Sequence, residues 1–128
     1  MKVLNPMVGM LSNQEVLAHI TAMKARYTKE GQMKSSNLET VMKEVREYLL
    51  LTPAGSQTPA DMDRFLESLI PFDLEKAEIL QMLNERPITA AELDCVVEEL
   101  ESRFSGEEIE QMLEVVKALP KPLKAVPV

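Results

Sequence analysis

Apolar residues return every three or four positions along most of this chain, the spacing that gathers them on one face of an α-helix. The first two stripes are Val16, Leu17, Ile20, Met23 and Leu38, Val41, Met42, Val45, Leu49. Four more follow: Met62, Phe65, Leu66, Leu69; then Ala77, Leu80, Leu83; then Leu93, Val96, Val97, Leu100; and a last one opening at Ile109. No segment alternates convincingly as a strand does. Residues 2–10 are the exception that reads as extended, a short arm carrying Val3, Leu4, Met7, Val8 and Met10. The pattern predicts an all-α protein of six helices behind that arm.

The helix ends are written in local chemistry. Leu11-Ser12 with Glu15-Val16, Ile88-Thr89 with Glu92-Leu93 and Phe104-Ser105 with Glu108-Ile109 repeat one signal. In each, the hydroxyl accepts from the third amide of the helix, the glutamate reaches back to the cap amide, and the flanking apolar pair closes as a staple. A cap is worth about 1 kcal/mol, so it positions a boundary more than it drives folding. Asn37, Thr58-Pro59 and Asp73 open the other three helices. The stops are Thr52-Pro53, Ile70-Pro71, Arg86-Pro87 and Leu119-Pro120, because proline cannot continue a helix and disfavours the helical conformation in the residue before it. The loop at 29–36 is polar and holds Gly31, but 52–57, with Pro53, Gly55 and Ser56, is the better boundary. The chain divides accordingly into an N-terminal extended and helical arm, 1–51; a hinge loop, 52–57; a compact helical bundle, 58–119; and a loose tail, 120–128.

An arm detached from the bundle has nothing of its own to cover its apolar stripes. Exposed apolar surface of that extent marks an interface. The expected contact residues are Val3, Leu4, Met7 and Leu11 before the first helix, Val16, Leu17, Ile20 and Met23 on it, and Leu38, Val41, Val45 and Leu49 on the second. With 128 residues there is room for one domain and an arm. Aromatics are 4% and Trp is absent, so the core is aliphatic, and nine Met residues add flexible apolar surface suited to a partner.

Charge separates the halves. The net charge is −7, yet the first 50 residues carry a small basic excess, while 89–114 hold nine acids against Arg103 alone. Such a surface repels phosphate backbones, which makes direct nucleic-acid binding weak or absent there. Adjacent helical carboxylates point in different directions, so Glu98, Glu99, Glu101, Glu107, Glu108 and Glu110 read as a solvated face, with docking of a basic partner as their functional use.

Nothing in the pattern supplies a reaction. One Cys and one His in separate halves do not make a zinc site. His19 sits beside the first stripe in a structural or neutral role, and Cys95 beside the Leu93 stripe is expected as a packed thiol. Asp61 and Asp63 lack the glycine and distal glutamate of a calcium loop. There is no phosphate-cradling glycine loop, no Gly-x-Ser-x-Gly and no His-Glu-x-x-His. No cofactor is expected and the chain does not read as an enzyme. A lone cysteine points to a reducing compartment, and no apolar run approaches the roughly 18 to 20 residues that span a bilayer, so a soluble protein is expected.

Several runs together resemble a known family: the opening Met-Lys-Val-Leu, Leu11-Ser12-Asn13 with Glu15-Val16, Thr52-Pro53, Gln57-Thr58-Pro59, Phe65-Leu66, and above all Lys76-Ala77-Glu78-Ile79-Leu80-Gln81 through Leu83-Asn84 to Arg86-Pro87. Thr89-Ala90 with Glu92-Leu93, Val97-Glu98-Glu99 and Glu108-Ile109-Glu110 through Leu119-Pro120 extend the likeness over nearly the whole chain. It is similar to the smaller stalk subunit of RNA polymerase III, a family known in animals as the calcitonin gene-related peptide receptor component. The opening four residues look fungal. The resemblance implies an N-terminal region that wraps a larger stalk subunit built from a tip domain and an OB domain. It implies a bundle of the helicase and RNase D C-terminal type, and a nuclear heterodimer that protrudes from the polymerase core and supports initiation through general transcription factors. The loop at 29–36 is short beside the insertions of some relatives, and no extended acidic tail follows the last helix. Two other readings compete. A nucleic-acid-binding module would have to work through the basic strip Lys24, Arg26, Lys29 and Lys34. A signalling adaptor rests on the animal family's name alone.

Overall fold

The computed structural model of the chain describes residues 2–31 and 36–123. Among these residues every regular element is helical, as the apolar spacing predicts. Helix α1, Asn13–Glu30, opens on a complete capping box between Ser12 and Glu15 and closes on Gly31, whose left-handed φ of 64° brings its amide back to the Tyr27 carbonyl. Helix α2, Ser36–Leu51, starts one residue before the expected Asn37. Helix α3, Pro59–Leu69, opens on a capping box between Thr58 and Asp61 with Pro59 in the first turn.

Helix α4, Lys76–Glu85, begins later than the Asp73 start expected for it, on Glu75. The reason is a turn at 70–75 in which Leu74 N–H bonds to Phe72 O, and which lays both Phe72 and Leu74 against the core instead of winding them into helix. The stripe from Leu93 to Leu100 was expected as one helix and is two: α5, Ala90–Asp94, and α6, Leu100–Arg103. Helix α5 ends on Cys95, and Glu99, with a left-handed φ of 53°, caps the start of α6, its carbonyl accepting the amides of Ser102 and Arg103. Helix α7, Gly106–Lys117, opens on the expected capping box of Ser105 and Glu108.

The core lies among α3 to α7 and is aliphatic except for Phe65 and Phe104: Leu69, Met82, Leu93, Val97, Met112 and Val116 are almost fully enclosed. Helix α7 packs on α3 and α5, and α3 on α4. Helices α1 and α2 pair as a hairpin. The segment at 52–57, expected as a hinge loop, is a turn of 3-10 helix, Pro53–Ser56, that touches α1, α2 and α4. It is wedged tightly: Ala54 is enclosed, a Cβ on Gly55 would stand 2.3 Å from the Leu50 carbonyl oxygen, and the buried Gln57 donates from Nε2 to Leu83 O at 2.8 Å. Of the tail, Ser56 Oγ donates to Lys121 O at 2.6 Å; residues 124–128 lie outside the described residues.

Candidate partner-binding surface

The arm is rooted on the bundle at one end. Ser12, 1% exposed, caps α1 and directs its hydroxyl at Met62 Sδ, 3.6 Å away on α3, while the Asn13 amide donates to Asn84 Oδ1 on α4 at 2.9 Å. Just before this anchor the chain has no regular structure and carries a run of exposed apolar side chains: Val3, Leu4 at 88%, Met7, Val8, Met10 and Leu11. All four contact residues expected in this segment, Val3, Leu4, Met7 and Leu11, are therefore on the surface.

The hairpin sorts the remaining eight. Leu38 and Val41 are exposed, and Val16, Ile20, Met23 and Val45 are half-buried. Leu17 and Leu49 are buried by the chain itself and drop out of the expected contact set. The physical reason is that α1 and α2 are not a loose arm; they close on each other and on the 3-10 turn, and each covers one side of its own stripe. What stays open is a shallow cleft of about 220 Å³ between the helices, lined by His19, Ile20, Met23, Tyr27, Leu38 and Met42.

Sequence reasoning missed an apolar groove on the bundle. Met62, Leu66, Ile79, Leu80 and Leu83 line an opening of about 320 Å³ that begins at Ser12, with Lys76 and the acids Glu15 and Asp63 at its rim. Leu66 and Ile70 stand exposed on the same helix and its end, at 47% and 77%. The available signal was the width of the α3 stripe: Phe65 and Leu66 are adjacent, hence about 100° apart around the helix, and both cannot face one core. A second apolar surface thus lies on α3 and α4 and reaches the cap of α1 at Ser12.

The acidic face is in part structural. Glu108 is half-buried and accepts the Ser105 amide at 3.2 Å, and Glu99 accepts the Ser102 hydroxyl at 3.4 Å. Glu98, Glu101, Glu107 and Glu110 are exposed. The one base of this region, Arg103, is turned inward onto Glu78 at 2.9 Å and 3.1 Å. Hydrogen bonding from Arg103, reinforced by the Glu75 and Glu98 amides, holds the Glu78 carboxyl below its ordinary pKa against the opposing cost of burial; the same contact raises Arg103. The face is consequently acid without a free counter-ion of its own.

Cys95 corrects an expectation: it is exposed, its Sγ directed at the Ala91 carbonyl at 3.3 Å, because a position two residues from both Leu93 and Val97 faces away from the core that those two enter. His19 is also exposed. Of the basic strip, Arg26 pairs with Glu30 at 3.4 Å, Lys24 and Lys29 line a concavity with Arg46, and Lys34 lies outside the described residues. Among the described residues no cluster of His, Cys, Asp or Glu is arranged to hold a metal ion, and no helix is long and apolar enough to cross a membrane.

Exposed apolar side chains beside a like-charged face are the furniture of a binding subunit. The profile of the RNA polymerase Rpb4 family matches residues 10–119. The chain is 33% identical over 126 residues to the DNA-directed RNA polymerase III subunit rpc9 of Schizosaccharomyces pombe, covering 91% of this chain and 96% of that protein. It is 41% identical over 51 residues to the DNA-directed RNA polymerase III subunit RPC9 of Saccharomyces cerevisiae, covering 40% of this chain and 32% of that one. By the reach of that profile and of the first of these relatives, the chain belongs to the RNA polymerase Rpb4 family, whose members are non-catalytic subunits of the polymerase.

Proposed function

We propose that this chain is the smaller half of a stalk heterodimer on RNA polymerase III, joined to a larger OB-fold subunit and supporting initiation in the nucleus. Membership of the Rpb4 family and the near full-length similarity to a subunit named for polymerase III support the assignment to that enzyme. The observation that carries the pairing is the row of exposed apolar residues from Val3 to Leu11, continued by Leu38 and Val41 on the hairpin and by Leu66 and Ile70 on α3. Isolated soluble domains rarely leave so much apolar surface in one stretch. A stable complex buries about 1,600 Å² in total, which an extended segment, a helical hairpin and an adjoining groove are together long enough to provide. In this reading α3 to α7 form a domain of the helicase and RNase D C-terminal type, and the acidic face formed by Glu98, Glu101, Glu107 and Glu110 stays open to basic transcription factors.

The test is co-expression with the OB-fold stalk subunit of the same organism, followed by size-exclusion chromatography with light scattering. The expected result is a monodisperse one-to-one complex, against aggregation or poor recovery of the chain alone. A chain that is monodisperse by itself and elutes apart from that subunit overturns the proposal.

A further inference from the structure

Helices α3 and α4 pack on each other, and each turns one stripe into the core, Phe65 and Leu69 from α3 and Met82 from α4. A second stripe on each is left outside. Met62 and Leu66 form one wall of a groove of about 320 Å³, and Ile79, Leu80 and Leu83 the other. Ile70, which closes α3 in the helical conformation four residues beyond Leu66, is 77% exposed and prolongs the first wall. The groove is blind at one end, where the start of α1 fills it: the Ser12 hydroxyl points at Met62 Sδ, and the Asn13 amide is bonded to Asn84 near the end of α4. From Met62 to Ile70 the wall is about 12 Å long, two turns of helix.

The walls select the shape of an occupant. Met62, Leu66 and Ile70 fall at intervals of four, as do Ile79 and Leu83, and rows at that spacing are the ridges between which the side chains of another helix lodge. An extended segment is disfavoured by its own backbone. The lining residues of α3 and α4 sit in helices whose amides and carbonyls bond within the helix, and among the described residues there is no strand edge to extend. A strand laid on this floor would bury amides and carbonyls without partners, whereas a helix satisfies them internally and offers only side chains.

Charge at the rim is polarised. Glu15 and Asp63 stand at the blind end, and Lys76, in the first turn of α4, at the other. One Glu15 oxygen accepts the Ser12 amide at 2.9 Å, and among the described residues neither Asp63 nor Lys76 is in an ion pair. From this we infer that the α3–α4 groove takes a short amphipathic helix of a partner chain, seated by large aliphatic side chains four residues apart and carrying a lysine or arginine at the end that meets Glu15 and Asp63. The reading of the chain as a subunit of an assembly supplies the partner, and the inference rests on it for that alone. The fit of helix to groove follows from the walls and the rim.

The test titrates the full chain, in fluorescence anisotropy, against a labelled Ala-rich peptide stapled on its outer face so that it is helical when free, with Leu at intervals of four, Lys in its first turn and Glu in its last. Leu66→Asp is expected to weaken binding by ~10-fold or more with an unchanged helical circular-dichroism spectrum, and Leu66→Met to stay within ~2-fold of the parent. Asp63→Lys is expected to weaken it by ~3-fold or more and to favour instead the peptide in which Lys is replaced by Glu. Undiminished binding by Leu66→Asp overturns the proposal. So does equal affinity for an unstapled peptide broken by a central proline, which would make the occupant an extended segment. A photoreactive leucine in the probe is expected to cross-link to α3 and α4, and cross-links confined to the hairpin cleft of Ile20 and Met23 overturn it as well. Each outcome is read on the chain alone and is independent of whether it co-purifies with an OB-fold subunit.

Discussion

Arg103 grips Glu78 with both ends of its guanidinium, at 2.9 Å and 3.1 Å, and in doing so ties three separate segments together. The Glu78 carboxylate also accepts the amides of Glu75 and Glu98, and Arg103 also donates to the carbonyls of Glu98 and Asp73. Its guanidinium lies 5.2 Å from the centre of the Phe104 ring, whose edge-on partner is Phe72 at 6.4 Å. The start of α4, the break between α5 and α6 and the turn before α4 are thus one polar knot.

That knot is expected to make the bundle acid-sensitive. Glu78 is held below the ordinary glutamate value of 4.5, so its folded pKa is depressed relative to the unfolded chain. The contribution is fully present above about 4.5 and is lost as pH falls through the folded pKa. Urea unfolding followed at pH 7 and at pH 3 checks this: the parent chain loses stability between them, and Glu78→Gln, which starts about 2 kcal/mol less stable, loses less. An equal loss in both would remove Glu78 from the account.

A second long-range contact closes the other end of the bundle. Arg86 ends α4 in a left-handed conformation, φ 50°, and its guanidinium donates to Leu119 O at 3.1 and 3.3 Å and to Lys117 O at 3.3 Å. The Lys117 carbonyl is among those left open at the end of α7, and that of Leu119 lies just beyond its cap. Arg86→Ala is expected to lower stability by about 1 to 2 kcal/mol through the lost bonds. Arg86→Gly loses the same bonds but relieves the left-handed backbone, so it is expected to be the milder of the two in thermal unfolding.

What could be read from the chain depended on the range of the interaction. The caps at Ser12 and Ser105 are four-residue devices and were legible as such. At Thr89 the hydroxyl accepts the Glu92 amide as expected, but Glu92 reaches back to the Ile88 amide at 2.8 Å in place of the cap's own. The break between Asp94 and Leu100 was not legible, because the segment is held by Glu78, which takes the Glu98 amide and meets Arg103 from 25 residues away. Cys95 was misplaced for a local reason that the spacing does contain: two residues from both Leu93 and Val97, it lies about 200° around a helix from either, on the face away from the core. Leu17 and Leu49 looked like free interface since nothing local says that α1 and α2 will close on each other. The run from Lys76 to Pro87 that carries the family likeness contains Glu78, Asn84 and Arg86, three side chains that each hold a distant segment.

Gly55 offers a test of the junction between hairpin and bundle. A methyl group there would meet Leu50 O at 2.3 Å and Leu50 C at 2.9 Å, and both are backbone atoms at the end of α2 with no flexible side chain to yield. Gly55→Ala is expected to cost about 1 to 3 kcal/mol and to loosen the hairpin before the bundle. Hydrogen exchange should show early loss of protection in α1 and α2 with α7 retained; uniform loss would mean that the two unfold as one unit.

The contact surface and the core make opposite demands on the same kind of residue, and aspartate substitution separates them. Leu4, at 88% exposure, and Met7, at 71%, touch little of the chain, so Leu4→Asp with Met7→Asp is expected to leave the unfolding midpoint within about 0.5 kcal/mol of the parent. If these residues pack on the OB-fold subunit, the same pair should abolish or sharply weaken its co-purification, because two buried charges would have no partner there. Leu49→Asp, at 6% exposure, should behave in the reverse order, unfolding the hairpin first and losing the partner only as a consequence. A Leu4 and Met7 variant that still captures the subunit at parental strength would put the interface elsewhere, with the groove of Met62, Leu66, Ile79 and Leu80 as the next surface to charge.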